Sequence, residues 1–389
     1  MGYGSRGGIA IKTRNGVHRT HFRQTWAEID LGAVAHNYRQ VKKMVGKETM
    51  VMAVVKANAY GHGTVEVSKV LERLGVDYLG VATTDEALRL RDHGIRVPIL
   101  ILGHVLPQEV KSAIERDITI TICSDELLGA IRKAVRPGKR AKIHVKVDTG
   151  MGRIGVWHEE ALHVIKNLVQ EKSIAIEGIY THFSIVGRDD FFTTYQIESF
   201  EKLLEKLREF DIDIPLKHAA NSIATVDFKR SHQNLVRPGL IIYGMYPKHT
   251  FPKLIHLKPA LSFKTRIVYL KDTPQGRSIS YGRSYITQKP TKIATLPVGY
   301  ADGLARNLSN RAEVLVRGAR APIVGRVTMD QTMIDVGHIK NVRVGDEVVI
   351  IGRQGKDEIR AEKLARLAGT IAYETVCAIS NRVPRVYKR

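Results

Sequence analysis

Two cysteines in 389 residues, Cys123 and Cys377, provide no paired spacing for a disulfide framework or a cysteine metal site. The expectation is a pair of reduced thiols in a cytoplasmic protein. No apolar run approaches the ~18 residues that a membrane helix needs. The start, Met1-Gly2-Tyr3-Gly4-Ser5-Arg6, has Arg6 where a myristoylation signal carries Ser or Thr, and no apolar segment of a signal peptide follows. Aromatic residues are sparse, at 6%, and are not interleaved with basic ones as on a single-strand nucleic-acid platform. Helix-turn-helix and zinc-finger spacings are missing as well, so neither a nucleic-acid nor a membrane partner is expected. Acidic residues are in deficit: 39 Asp and Glu stand against 61 Lys and Arg, for a net charge of +22. Part of the excess is terminal, in Arg6, Lys12, Arg14, Arg19 and Arg23 and in Arg382, Arg385, Lys388 and Arg389. Without a recognition motif the excess reads as a charged solubility surface, and residues 1–22 as a flexible basic extension.

What is present is a rhythm. Between residues 50 and 244, eight short apolar runs rich in Val and Ile recur: Met50–Lys56, Tyr78–Ala82, Val97–Leu102, Ile118–Cys123, Lys142–Val147, Ile176–His182, Leu216–Ala220 and Leu235–Tyr243. Runs apolar along their whole length suit parallel strands buried on both faces. Between them Thr64–Leu74, Thr84–Asp92, Gln108–Glu115, Asp125–Val135, Glu159–Gln170 and Thr194–Glu209 space apolar residues three and four apart, as helices do. Thr83-Thr84-Asp85-Glu86 reads as a capping box and Ser124 as an N-cap, whereas Ala224–Asn234 makes a weak helix. The alternation predicts an α/β fold, a (β/α)8 TIM-type barrel. From about residue 260 the pattern turns to β-branched clusters with Gly-containing turns, at Val314–Val316, Ile323–Val327, Thr332–Val336 and Val344–Ile351, with one helix near Ala361–Ala368. That predicts a mostly β C-terminal domain.

Barrel enzymes place their chemistry at the C-terminal ends of the strands. The first run ends at Lys56, followed by Ala57-Asn58-Ala59-Tyr60-Gly61-His62-Gly63. A lysine closing an apolar strand is desolvated, which favours its neutral, nucleophilic amine, and the small residues beside it leave room for a ligand. The fifth run ends Lys146-Val147-Asp148-Thr149-Gly150-Met151-Gly152-Arg153, and the sixth in Thr181-His182-Phe183. Asn221-Ser222 follows the seventh, and Arg237-Pro238-Gly239-Leu240 lies in the eighth. Loops after strands seven and eight commonly hold phosphate, which makes Ser222 and Gly239 a candidate cradle. A reactive lysine, a phosphate cradle and the cations Arg153 and Arg237 suit a phosphorylated aldehyde cofactor. On these grounds alone a phosphosugar aldolase fits equally well.

The stretch Ala53-Val54-Val55-Lys56-Ala57-Asn58-Ala59-Tyr60-Gly61-His62-Gly63 resembles the pyridoxal 5′-phosphate (PLP) attachment site of bacterial alanine racemases. So do Val147–Arg153, Arg237-Pro238-Gly239, Ser280-Tyr281-Gly282, Gly299-Tyr300-Ala301-Asp302-Gly303, Gly325-Arg326-Val327-Thr328-Met329-Asp330 and Tyr373-Glu374, in the family's order from about Thr25 to Val386. The resemblance implies a homodimer with shared active sites that interconverts L- and D-alanine and supplies D-alanine for peptidoglycan. It implies that residues 23–31 form a strand joining the β domain of residues 260–389, with the barrel over residues 32–259. Lys56 is then the PLP lysine and one catalytic base, and Tyr281 of the partner subunit the other. Tyr60, Ser222, Tyr373 and the backbone at Gly239 and Leu240 match the phosphate site. Arg237 matches the residue facing the pyridine nitrogen, with His218 behind it. Arg153 and the Met329 backbone match groups near the substrate carboxylate, and Arg153 also lies near the phenolic oxygen of PLP. Tyr300 matches an entrance tyrosine, and Lys146 a lysine carbamylated in some members. Positive charge from His182 with Arg237 is the expected means of favouring a tyrosinate at Tyr281. No metal ligand is implied, and Asp302 and Asp330 read as structural carboxylates. A PLP decarboxylase of the same plan would carry an acidic, Cys-containing motif in its β domain. Cys377 sits instead in Thr375-Val376-Cys377-Ala378.

Overall fold

The computed structural model describes residues 9–12, 18–186, 189–247 and 254–388, with side chains from residue 22 onward. By packing, the chain divides into Val34–Ala59 with Gly63–Lys258, and Met1–Ala33 with Tyr60–His62 and Pro259–Arg389. Of the segment read as a flexible basic extension, residues 1–8 and 13–17 lie outside the described residues, and Ile9–Lys12 pairs antiparallel with His18–His21.

The unit built on Val34–Lys258 is the barrel. Its eight parallel strands are Met50–Val54, Tyr78–Val81, Ile99–Ile101, Thr119–Ile122, Ala141–Asp148, Ile174–Tyr180, Leu216–His218 and Leu235–Val236. The last pairs with the first, Leu235 opposite Met50, and the ring is completed where the Arg237 N–H donates to Ala220 O at 2.9 Å. Val51, Ala53, Ile99, Ile101, Ile120, Ile122, Ile143 and Val145 are wholly buried, which is why these runs carry no polar alternation. Met52, Tyr78, Leu100, Tyr180 and Leu235, each from a different strand, form one cluster. Helices Thr64–Arg73, Thr84–Asp92, Pro107–Glu115, Leu128–Ala134, Ala161–Val169 and Asp190–Glu209 fill the connections.

Two expectations are corrected, and one helix is added. The eighth run stops being a strand after Val236, because Pro238 removes a donor and Leu240–Tyr243 winds into a 3-10 helix. Ala224–Asn234 is replaced by a helix at Ser222–Asp227 capped by Asn221, then a 3-10 turn at Lys229–His232. A helix at Leu31–Val45, which buries an apolar stripe of Leu31, Val34, Tyr38 and Val41, precedes the first barrel strand and lies before the run of alternating elements read from the sequence.

In the other unit Thr25–Asp30 lies between Leu261–Arg266, antiparallel, and Arg385–Lys388, parallel. The sheet continues through Glu347–Gln354 and Glu313–Val316 to Ala319–Pro322. Tyr269–Thr273, Thr291–Leu296 and Thr332–Asp335 form a separate sheet. Two helices follow, Ala361–Ala368 and Ala372–Cys377. The expected strand Ile323–Val327 is absent. The hairpin partner of Glu313–Val316 lies earlier, at Ala319–Pro322, across a turn with positive φ at Arg317 and Gly318. Beyond it Ile323 makes a single antiparallel bridge with Ile334 and Val324 N–H donates to Met333 O, but the Gly325 and Val327 N–H groups turn to the Asn310 and Ser309 side chains, so the ladder goes no further.

Candidate active site

Lys56 closes the first barrel strand and is half-buried. Behind it the backbone enters the left-handed region for four residues, Ala57, Asn58, Ala59 and Tyr60, with φ of 52–53°. None is glycine, and each such residue costs roughly 1–2 kcal/mol. A run of this kind persists only where its surroundings hold it, and strain of this sort clusters at functional sites. Ala59 N–H donates to Val55 O at 2.9 Å and Gly63 N–H to Asn58 O at 2.8 Å. Thr64 closes the segment through Val55 O and Asn58 Oδ1.

At the fifth strand the buried Asp148 carboxylate accepts from Gly150, Met151 and Arg153 N–H, folding the loop that presents an exposed Arg153. Lys146 on the same strand is 3% exposed and lies over the Tyr180 ring. Burial, then Arg153 and Arg237, pull its pKa down to about 8. The folded chain therefore binds fewer protons than the unfolded chain between pH 8 and 10.5. Stability should rise with pH across that window, by about 3 kcal/mol in all. Urea unfolding at a series of pH values, in wild type and Lys146→Met, checks this: the variant should lose that part of the slope.

Arg237, 3% exposed, is held by four contacts. Its Nη2 donates to Thr181 O at 2.7 Å, Ala219 O at 3.0 Å and His182 Nδ1 at 3.3 Å, and its Nη1 to His218 Nδ1 at 2.9 Å. Its Nε–H has no acceptor among the described residues. Because a guanidinium only donates, the order of protons behind it is fixed. His218 accepts at Nδ1 and donates from Nε2 to His144 Nδ1 at 2.8 Å, leaving the His144 Nε2–H buried without a partner among the described residues. His218 also stacks on Tyr180, with ring centroids 4.7 Å apart. Burial and the Arg237 charge hold all three imidazoles neutral, His144 down to about 3 and His182 and His218 well below the usual range. For His182, the charges of Lys146, Arg153 and Lys56 add to that effect. The expected pairing of His182 with Arg237 as a charge source is thus corrected: the cation is Arg237, and His182 is a neutral donor at Nε2.

His144 pairs with Gly178 on the neighbouring strand, just past a register shift between Ile176 and Gly178. A Cβ on Gly178 would stand 2.5 Å from the His144 ring. Gly178→Ala should therefore destabilise the fold by about 2–3 kcal/mol, measured as a shift of the denaturation midpoint.

Ser222, 5% exposed, opens the helix after the seventh strand, and its Oγ accepts from Gly239 N–H at 2.8 Å. That leaves the hydroxyl proton free to donate. The neighbouring N–H of buried Leu240 has no acceptor among the described residues. These two donors fit a phosphate, and Lys56 with the open Nε–H of Arg237 fits a pyridine aldehyde. Lys56, Lys146, Arg153, His182, His218, Ser222, Arg237, Gly239 and Leu240 all belong to the barrel unit.

The remaining candidates belong to the β unit. Tyr60 packs on Tyr373 there, with ring centroids 6.0 Å apart. Burial raises the pKa of both phenols, Tyr373 to about 12, so both are neutral donors. Tyr281, 74% exposed, tips a hairpin between Ser278–Ile279 and Tyr285–Ile286. Positive φ at Ser280, Gly282 and Arg283 shapes that turn, and Ser280 Oγ donates to Arg326 O at 2.7 Å. Tyr300 and Met329 sit on adjoining loops joined by Tyr300 N–H to Thr328 O and Ala301 N–H to Met329 O. Beneath them buried Asp302 accepts from Gly299 N–H and pairs with Arg23 and Arg382, the latter also bonded to Asp330.

Residues 29–247 match the family described as "Alanine racemase, N-terminal domain", and residues 260–387 match "Alanine racemase, C-terminal domain". The chain belongs to the alanine racemase family. It is 50% identical to the alanine racemase of Halothermothrix orenii, over 94% of this chain and 97% of that one. It is 48% identical to that of Methanococcus maripaludis, over 93% and 98%. Among solved structures it resembles Bacillus anthracis alanine racemase with bound L-Ala-P at a TM-score of 0.88, with 40% identity over 94% and 95% of the two chains. The Clostridium difficile alanine racemase gives a TM-score of 0.87, with 39% identity over 94% and 96%. Within this alanine racemase fold, three residues of the barrel site went unread in the sequence: His144, Tyr180 and Glu86. His144 and Tyr180 sit inside apolar strand runs and look like core. Glu86 is the last residue of the predicted capping box, which is a signal, though for a different role.

Proposed function

We propose that the chain interconverts L- and D-alanine with PLP as cofactor, using Lys56 and, across a homodimer, Tyr281 of the partner subunit as its two acid-base groups. What carries the reading is the gathering at one barrel mouth of Lys56, the Ser222 and Leu240 donors and Arg237, in a chain matched to the family from residue 29 to residue 387. PLP, when bound, supplies an electron sink for the pair left on an amino acid's α-carbon once its proton is removed. Lys56 would hold the cofactor, and its Nζ would then move the α-proton on the D side. Ser222 Oγ and the Leu240 N–H would hold its phosphate, and Tyr60 and Tyr373 match further phosphate residues of the family. Arg153 and the Met329 backbone match groups near the substrate carboxylate in the family, and Tyr300 matches its entrance tyrosine.

Inversion requires a second proton-transfer group on the opposite face of the planar α-carbon. Tyr281 Oη is matched to it, on the L side. An ordinary phenol is a weak base at neutral pH. Arg237 supplies positive charge, and neutral His182 supplies an Nε2–H donor that favours tyrosinate through a hydrogen bond. Arg237 also keeps its protons at neutral pH, burial lowering its pKa only to about 10. Residing at the ring nitrogen, it would leave that nitrogen unprotonated, moderate the sink and limit side reactions. Lys146, with a pKa near 8, presents more neutral amine to CO2 than an ordinary lysine, which supports its match to the carbamylated position. Cytoplasmic supply of D-alanine for peptidoglycan is the role this implies. Among the described residues no helix is long and apolar enough to cross a membrane.

Chiral analysis of L-alanine incubated with the purified protein and PLP tests the reading. D-alanine should accumulate until the two enantiomers are equal. CO2 release without D-alanine would favour a decarboxylase instead. L-serine in parallel measures substrate range, because a small pocket separates methyl from hydroxymethyl by only ~10²-fold or so.

A further inference from the structure

The carboxylate of Glu86 does something that the capping box does not ask of it. Glu86 is the third residue of helix Thr84–Asp92, and its own N–H donates to Thr83 Oγ1 at 3.3 Å, as expected. In a capping box its side chain would return to the N–H of Thr83. Instead Oε2 accepts from Ala82 N–H at 2.8 Å and Oε1 from Ala57 N–H at 2.6 Å. Ala82 directly follows the second barrel strand, and Ala57 is the residue immediately after Lys56. One carboxylate therefore ties the C-terminal ends of two adjacent strands together at the point where the left-handed run begins. The rest of that run is held by Val55, Asn58 and Thr64, whereas its first N–H is held by Glu86.

We propose that Glu86 is a positioning residue for Lys56: its two-pronged grip on Ala57 and Ala82 fixes the Lys56 backbone and so aims the Lys56 amine. Both prongs are charge-assisted and short, stiffer than a neutral bond would be. Aim matters because displacement of a reacting group by about 1 Å costs on the order of 100-fold in rate. The inference rests on Lys56 being the PLP lysine.

The test compares Glu86→Gln with Thr83→Ala in the PLP-loaded protein. Gln keeps the shape but offers one acceptor oxygen, and its amide group would face an N–H, so one prong is lost. Thr83→Ala weakens the same helix end without touching the grip. Borohydride reduction followed by peptide mass analysis measures the fraction of PLP trapped on Lys56 at limiting cofactor, beside kcat, KM and melting temperature. E86Q should trap several-fold less PLP and lose roughly 10- to 100-fold in kcat with KM unchanged. T83A should melt lower yet match wild type in trapping and kcat. E86D, too short for both donors, replaces E86Q if that variant yields no folded protein. E86Q with wild-type trapping and kcat, or E86Q and T83A declining in parallel with melting temperature, would overturn the proposal. Wild-type protein that traps PLP elsewhere than Lys56 would instead overturn the Lys56 assignment beneath it.

Discussion

Lys56→Ala is expected to fold, to bind PLP without a covalent bond, and to lose racemisation by 10³-fold or more. Two contributions disappear together. Under the proposed function one is the amine that would hold the cofactor; the other is the proton-transfer group on the D face, of a kind that contributes about 10²–10⁴-fold where it acts alone. The phosphate donors at Ser222 and Leu240 and the Arg237 guanidinium are untouched, so cofactor should remain, weakly held and washed out by dialysis. Borohydride should trap nothing on the variant. Added methylamine, a small amine able to occupy the vacated space, should recover a minor part of the activity, which a collapsed fold would not. Retention of covalent PLP and turnover by Lys56→Ala would remove the centre of the functional reading.

The barrel was legible because its strands are buried on both faces, so eight apolar runs survive in the sequence as a visible period. Where donors leave the ladder for side chains, the pattern misleads. Ile323–Val327 is the example: only Ile323 bridges another strand, and the Gly325 and Val327 N–H groups go to side chains. The candidate site divides in the same way. Lys56, Ser222 and Arg237 are marked by their places at strand ends, which local sequence reveals. Tyr281 lies in an irregular turn whose Ser-Tyr-Gly spacing says little, and only the resemblance singled it out. Glu86 and His144 act through contacts 29 and 74 residues away in the chain, with Ala57 and His218. No local pattern encodes such partners. The protonation of His182 was likewise out of reach, since it depends on burial and on four cations from three separate segments.

A mixture of two inactive variants should recover activity if the active site is shared between subunits. Tyr281→Phe removes only the phenolic oxygen, and in homodimers it should lower kcat by 10²-fold or more, because one face of the α-carbon loses its proton-transfer group. Lys56→Ala disables the other face. In a heterodimer of the two, one site pairs a mutant lysine position with a mutant tyrosine and is doubly disabled, while the other pairs an intact Lys56 with an intact Tyr281. Random reassortment makes half the dimers mixed, each with one of two sites intact, so activity should return to roughly a quarter of wild type. The exposed position of Tyr281, 74% accessible on a hairpin tip, is what leads to this expectation. A large aromatic left so open, on a turn whose positive φ values mark it as shaped rather than slack, is well suited to enter a second chain. Recovery should follow the rate of subunit exchange and vanish on dilution below the dimer dissociation constant. If the mixture instead stays as inactive as its parents while the subunits demonstrably exchange, Lys56 and Tyr281 serve the same chain, and the shared-site reading is wrong.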